Sequence, residues 1–224
     1  METDVAKNLK EVLGNLPEGV QLVAISKFHP NEYIEAAYAA GQRIFGESRE
    51  QELRLKAEQL PKDIQWHFIG HLQGNKVKSI APYISMIESV DTFKLMKEIN
   101  KQAEKNNRVI DILLELHVAD EETKFGFSFE ACRSMLAEAL WKQMANIRIR
   151  GLMMMASNVE DENQIASEMN KAADFFDEVK RDYFADADYF SERSWGMSHD
   201  YQIAVKCRST MVRVGTTIFG ARVS

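Results

Sequence analysis

What this chain lacks excludes several kinds of protein. Its 224 residues include only two cysteines, Cys132 and Cys207. They are far apart and each falls in a helical pattern, so neither a disulfide framework nor a zinc site is indicated and a reducing compartment is expected. No apolar run approaches the ~20 residues that a membrane-spanning helix needs. The opening segment METDVAKNLKEVLGNL has no basic start followed by an apolar block, so it does not read as a secretory signal. Instead, Val5, Leu9 and Val12 or Leu13 share one face of an amphipathic helix. The net charge of −6 and the shortness of basic patches such as GNKVK argue against a nucleic-acid or membrane-surface role. Linkers, low-complexity segments, sequence repeats and coiled-coil heptads are also missing. The expectation is a cytoplasmic, monomeric protein. With 45% hydrophobic and 28% charged residues, the chain has the ordinary composition of a packed globular domain.

Short β-like runs alternate with amphipathic helical patterns along the whole length. The strand candidates are 22–26, 43–46, 65–69, 84–89, 112–118, 147–154, 188–191 and 212–214. NEYIEAAYAAG ends in Gly41, a natural helix C-terminal glycine. DTFKLMKEINKQAEKNN opens with Asp91 as an N-cap, and SNVEDENQ opens with Ser157 and Glu160 at capping-box spacing. In the helix that follows, Ile165, Met169, Ala172, Phe176 and Val179 recur at helical spacing. Strands alternating with helices imply a parallel sheet. About eight such units predict an α/β fold: a single-domain (β/α)₈ TIM-type barrel over residues 1–224, with an extra N-terminal helix. A doubly wound open sheet is the alternative. The barrel is favoured because no glycine-rich dinucleotide fingerprint follows the first strand.

In such a barrel, chemistry collects at the C-terminal ends of the strands. Lys27, in VQLVAISKFHP, sits at the first of these ends. Read alone it is a solvated strand terminus; in a partly desolvated barrel mouth it is an amine able to attack an aldehyde. The last strand and its exit, STMVRVGTTIFGAR, bring Arg213, Gly215 and Thr216 close together. Glycine lets backbone N–H groups approach an anion and threonine adds a hydroxyl. In SWGMSHDYQIAV, Ser198 is placed to cap the following helix, where phosphate is favoured. Barrels often hold phosphate in the loops after strands seven and eight.

Other residues carry weaker signals. His67 and His71 stand at i,i+4 in WHFIGHLQGNKVK, but the residues between them read as strand end and turn and no HExxH pattern is present, so a metal site is not expected. Glu47 and Ser48 mark one strand exit and Ser89 and Asp91 another, with Asp91 read as a helix cap. Lys124 reads as a solvated loop lysine. GLMMMAS reads as a buried strand with methionines in the core.

Together, LVAISK, FGESREQE, WHFIGHLQGNKVK, ESVD, TKFGF, RGLMMMA, SWGMSHD and STMVRVGTTIFGAR, in that order, resemble the pyridoxal phosphate homeostasis protein family, which is built like the N-terminal barrel of alanine racemase. The resemblance covers nearly the whole chain. It implies that Lys27 carries pyridoxal 5′-phosphate (PLP) as a Schiff base. It places Ser198, Gly215 and Thr216 around the phosphate and Arg213 near the pyridine nitrogen. Asn75 and the turn containing His71 are implied at the rim, and Ser89 and Met153 complete the cofactor-binding set. The chain departs from the family pattern at Ser48 (commonly Asn), Glu88 (commonly His), Trp195 (commonly Met) and His199 (commonly acidic). The last three departures are expected to reshape the pocket edge.

A carboxylate beside the pyridine nitrogen would keep it protonated and strengthen the electron sink. Arginine accepts no proton, so an Arg213 in that place implies a weak sink, better suited to proton exchange than to decarboxylation or transamination. Alanine racemase draws a second acid/base, a tyrosine, from another domain, and none is expected in the ten residues after Val214. Tyr33 and Tyr38 read as packing. The favoured reading is a PLP carrier or regulator, with PLP-dependent apo-enzymes as its partners. A low-activity amino-acid racemase or lyase is the alternative. A barrel enzyme using Lys27 on a phosphorylated metabolite, without a cofactor, is disfavoured by the motif set.

Overall fold

The computed structural model describes residues 4–118 and 125–221. Eight parallel strands close a barrel in sequence order, each pairing with the next and the last with the first. They are β1 (Gln21–Ile25), β2 (Ile44–Glu47), β3 (Gln65–Phe68), β4 (Met86–Val90), β5 (Ile110–Leu116), β6 (Ile147–Met154), β7 (Glu192–Ser194) and β8 (Met211–Val214). Helices α1 (Val5–Gly14), α2 (Asn31–Ala39), α3 (Glu50–Gln59), α4 (Gly74–Ile80), α5 (Phe93–Lys105), α6 (Phe129–Ala137), α7 (Glu162–Tyr183), α8 (Tyr201–Lys206) and α9 (Thr216–Phe219) lie around it. The expected barrel and its extra first helix are both present. α1 buries Val5, Leu9 and Val12 and packs on α2 and α9, where Asn8 Nδ2 donates to the Ile218 carbonyl at 3.1 Å.

Strand alternation sorts the buried residues into two cores. The larger lies between strands and helices. The smaller fills the barrel with Val23, Ile25, Met86, Leu113, Met153 and Met211. Because side chains alternate along a strand, Glu88, Glu115 and Arg213, two residues beyond Met86, Leu113 and Met211, also point inward. His67 joins them through its register with Met86. The barrel is therefore apolar below and polar towards the C-terminal ends of its strands.

Several local expectations need correction. The seventh strand is Glu192–Ser194, not 188–191. Residues 188–189 form a turn, and Phe190 stacks on Phe176 and Phe184 outside the barrel. The true strand was hidden because its residues are polar, Ser194 being buried against Glu88. The fourth and fifth strands are each displaced by one or two residues at their ends. The cap of α5 is Thr92, whose Oγ1 accepts from Leu95 N–H, which leaves Asp91 to pair with His71. The cap of α7 is Asp161, while Ser157 donates to the buried Glu168. At β6, Gly151 is required by close approach, since a Cβ there would overlap the Glu192 carbonyl.

Candidate functional site

The C-terminal mouth of the barrel opens as a cavity of ≈570 Å³. Its wall runs from Ile25 and Lys27 beyond β1, past Ser48, Ile69 and His71, to Glu115 on β5. On the other side stand Met197, Ser198 and His199 after β7, then Arg213, Gly215 and Thr216. Six residues singled out from the sequence, Lys27, His71, Ser198, Arg213, Gly215 and Thr216, thus share one cavity although they span most of the chain.

The side of the mouth beyond β7 and β8 is formed by two loops joined to each other. Gly215 N–H donates to Ser198 Oγ at 3.1 Å. Ser198 does not cap α8, whose N-cap is Asp200. A Cβ on Gly215 would stand 3.0 Å from the Ile25 carbonyl, so glycine lets this loop pack on the end of β1, beside Lys27. Thr216 starts α9, where the first N–H groups lack intrahelical acceptors.

Arg213 is 3% exposed and held from below. Nη1 donates to the Ser194 carbonyl at 2.7 Å and to Ser194 Oγ at 2.6 Å, and Nη2 donates to the Met154 carbonyl at 2.8 Å. Ser194 Oγ donates in turn to Glu88 Oε2 at 2.5 Å, and His67 Nδ1 lies 2.7 Å from Glu88 Oε1. Arg213 Nη1 is 3.8 Å from the same Glu88 carboxylate. Burial alone would push the Glu88 carboxyl up. The His67 hydrogen bond and charge, the Arg213 charge and the Ser194 hydroxyl outweigh it and hold Glu88 below the usual carboxylate range. Burial lowers Arg213, against the pull of Glu88, Glu115 and Asp200. A guanidinium nonetheless stays charged, so an oriented cation faces the cavity with its counter-ion beneath it.

The remaining predicted residues lie elsewhere. Met153 packs in the inner apolar layer below the cavity. Ser89 Oγ donates to the Gly70 carbonyl at 2.5 Å and so fixes the turn that presents His71. Asn75 lines a neighbouring groove between α4 and α5, which shares His71 with the mouth. At the rim, His71 pairs with Asp91 at 3.1 Å and stacks on Phe125 with ring centroids 4.0 Å apart. Ser48 lines the mouth, whereas Glu47, fully buried, faces the helix side, where Lys56 of α3 donates to it at 2.8 Å. Of the departures expected at the pocket edge, only His199 is there. Glu88 lies inside the barrel. Trp195 faces outward, wholly buried, its Nε1 donating to the Cys207 carbonyl at 3.1 Å. Both misplacements follow from strand alternation, which a motif match does not reveal. Lys124 lies outside the described residues.

Sequence reasoning missed Glu115, His29 and Asn158, which also line the cavity. Glu115 left a signal, a single carboxylate inside the apolar strand ILLELHV. It is 4% exposed. Burial, with a smaller contribution from Asp91, pushes it up to about 7 against the pull of Arg213.

A closed barrel of eight parallel strands is the fold that this chain shares with the alanine racemases. The family model described as alanine racemase, N-terminal domain, matches residues 3–223. An alanine racemase of Clostridium difficile shares the fold with a TM-score of 0.74 at 13% identity, covering 99% of this chain and 57% of that one.

Within that class, the chain belongs to the pyridoxal phosphate homeostasis protein family. The member from Aquifex aeolicus is 37% identical over 203 residues, covering 90% of this chain and 87% of the relative. The Escherichia coli member is 31% identical over 236 residues, covering 98% and 97%. PipY of Synechococcus elongatus, solved without PLP, superposes with a TM-score of 0.90 at 33% identity over 96% of this chain and 100% of that one. Solved with PLP bound, it gives 0.87. Among the described residues, no helix is long and apolar enough to cross a membrane.

Proposed function

We propose that this protein binds pyridoxal 5′-phosphate through Lys27 and serves intracellular vitamin B6 homeostasis as a carrier rather than a high-turnover enzyme. One observation carries the reading: Lys27, Arg213 and the Ser198–Gly215–Thr216 cradle line a single cavity. The residues fit the group. At ≈570 Å³ the cavity is in the range of small-ligand sites. Its donors are a primary amine, a guanidinium, two hydroxyls and helix-start N–H groups, the set that a phosphate-bearing aldehyde calls for.

When bound, the cofactor supplies an aldehyde carbon and an electron-withdrawing ring. Lys27 contributes the amine, which must be neutral to attack. Ser198 and Thr216 hydroxyls and the Gly215 loop hold the phosphate. Arg213 faces the ring and, having no acceptor, leaves the ring nitrogen without a proton-sharing partner. That favours holding over turnover, with PLP-dependent apo-enzymes as recipients. Borohydride reduction of the PLP-saturated protein, followed by peptide mapping, is expected to place the pyridoxyl group on Lys27. A label on another lysine, or none, refutes the assignment.

Glu115 favours a second reading, slow proton exchange at an amino-acid α-carbon. Strand β5 is across the barrel from β1, and a carboxyl near 7 is matched to acid–base work at neutral pH. Solvent deuterium incorporation into a panel of amino acids, lost in both Lys27→Ala and Glu115→Gln, would establish this reading over the carrier.

A further inference from the structure

The backbone at Lys27 is gripped from both sides by a buried ion cluster. Residues 26–29 form a tight turn closed by His29 N–H donating to the Ser26 carbonyl at 3.1 Å. Lys27 and Phe28 are its central residues, and Phe28 has φ 66°. A type II turn needs a positive φ at that position and normally takes glycine there. For a residue with a side chain, this conformation costs about 1–2 kcal/mol, so it must be imposed from outside.

The surroundings impose it. Lys56, reaching in from α3, is only 5% exposed. Its Nζ donates to the Ser26 carbonyl at 2.8 Å, to Glu47 Oε1 at 2.8 Å and to Glu52 Oε1 at 2.6 Å. Ser26 Oγ donates to Glu47 Oε1 at 2.6 Å, so Ser26 is held by side chain and carbonyl together. On the far side of Lys27, Phe28 N–H donates to Glu52 Oε1 at 2.7 Å, and the Arg49 guanidinium lies 4.4 Å from the Phe28 ring centroid. The peptide groups before and after Lys27 therefore hang on one ammonium and its two carboxylates. A buried ion cluster adds little net stability compared with apolar packing. Its hydrogen bonds do fix direction, and here both fixed groups adjoin the one residue whose amine must be aimed.

We propose that Lys56, with Glu52 and Glu47, is a positioning group that locks the turn carrying Lys27 and so directs its amine at an aldehyde bound in the mouth. The proposal rests on the PLP reading above. Among the described residues, no hydrogen bond or ion pair of Lys56, Glu52 or Glu47 reaches Ser198, Arg213, Gly215 or Thr216, so loss of the cluster should affect the bond to the aldehyde and spare non-covalent recognition.

Two ligands separate these effects: PLP, and pyridoxine 5′-phosphate, which keeps ring and phosphate but has no aldehyde. Binding of each is measured on the intact protein and on Lys56→Met and Glu52→Ala, with circular dichroism as the check on folding. Glu52 is 21% exposed on its side chain, so Glu52→Ala releases Phe28 without opening the core and decides the matter if Lys56→Met does not fold. The expected result is a loss of PLP affinity on the order of ten- to a hundred-fold, with pyridoxine 5′-phosphate affinity unchanged within about twofold. Equal losses for both ligands would make the cluster a general fold support and overturn the proposal, as would no loss for either. A parent protein that binds the two ligands equally and takes no borohydride label fails at the PLP reading itself, and the proposal falls with it.

Discussion

Replacing Glu115 by glutamine is expected to stabilise the ligand-free protein, and to do so only at neutral and alkaline pH. Burial holds the Glu115 carboxyl at about 7, against 4.5 for an ordinary glutamate. At ~1.4 kcal/mol per tenfold in proton affinity, ionising it in the folded chain costs up to about 3 kcal/mol more than in the unfolded chain. The folded state therefore binds the extra proton between those two values. Stability falls as pH rises from 4.5 to about 7 and is flat above. Glutamine resembles the protonated carboxyl and cannot ionise. The variant should match the parent near pH 4.5 and exceed it by about 1–3 kcal/mol at pH 8. Glu47, also pushed up to about 7 by burial, is present in both proteins and cancels in the difference. Urea unfolding at pH 5 and pH 8, without ligand, measures the two gaps. A gap independent of pH, or larger at pH 5, would show that Glu115 is not held protonated by its surroundings.

Three further substitutions test the packing around the site. Glu88→Ala leaves a buried Arg213 cation without its counter-ion and strips partners from His67 and Ser194, and should cost about 3–5 kcal/mol in denaturant unfolding. Because the Glu88 carboxyl is held below its ordinary range, its contribution is complete above pH 4.5 and lost as pH falls through the folded value. A deficit that instead faded between pH 6 and 8 would contradict the assignment. Gly151→Ala drives a Cβ into the Glu192 carbonyl and should cost about 3 kcal/mol or more, read as a drop in melting temperature. Leu9→Ala opens the packing of α1, where Leu9 is fully buried, and should cost about 2–4 kcal/mol while leaving PLP labelling of Lys27 intact. Loss of labelling in the folded variant would mean that α1 bears on the mouth.

Much of the architecture was legible in the linear sequence because it depends on local periodicity. Apolar runs, helical spacing and punctuating glycines lie within ten or so residues of one another, and they marked seven of the strands and the helix of Val5, Leu9 and Val12. Lys27, Ser198, Gly215 and Thr216 were found because each sits just past a strand, and Arg213 because it lies near the end of one, where a barrel gathers its chemistry. Strand β7 escaped because its side chains are polar and find their partners on other elements, Ser194 on Glu88 and Arg213 and Glu192 on Arg150 and Thr210. The caps of α5 and α7 were misassigned for a related reason. Asp91 and Ser157 have cap-like chemistry, but His71 and Glu168 take their side chains instead.

The sequence alone thus determined the barrel, its order of strands and the lysine at its mouth. Only the tertiary structure decided which side of each strand a residue occupies and which charges meet. It drew Glu88 into the barrel beneath Arg213, set Glu115 across the mouth from the strand that carries Lys27, and tied the two peptide groups beside that lysine to Lys56 and Glu52. Those pairings join residues 24 to 125 positions apart. Closing the barrel creates them, through a low-dielectric interior in which every buried charge must find its partner.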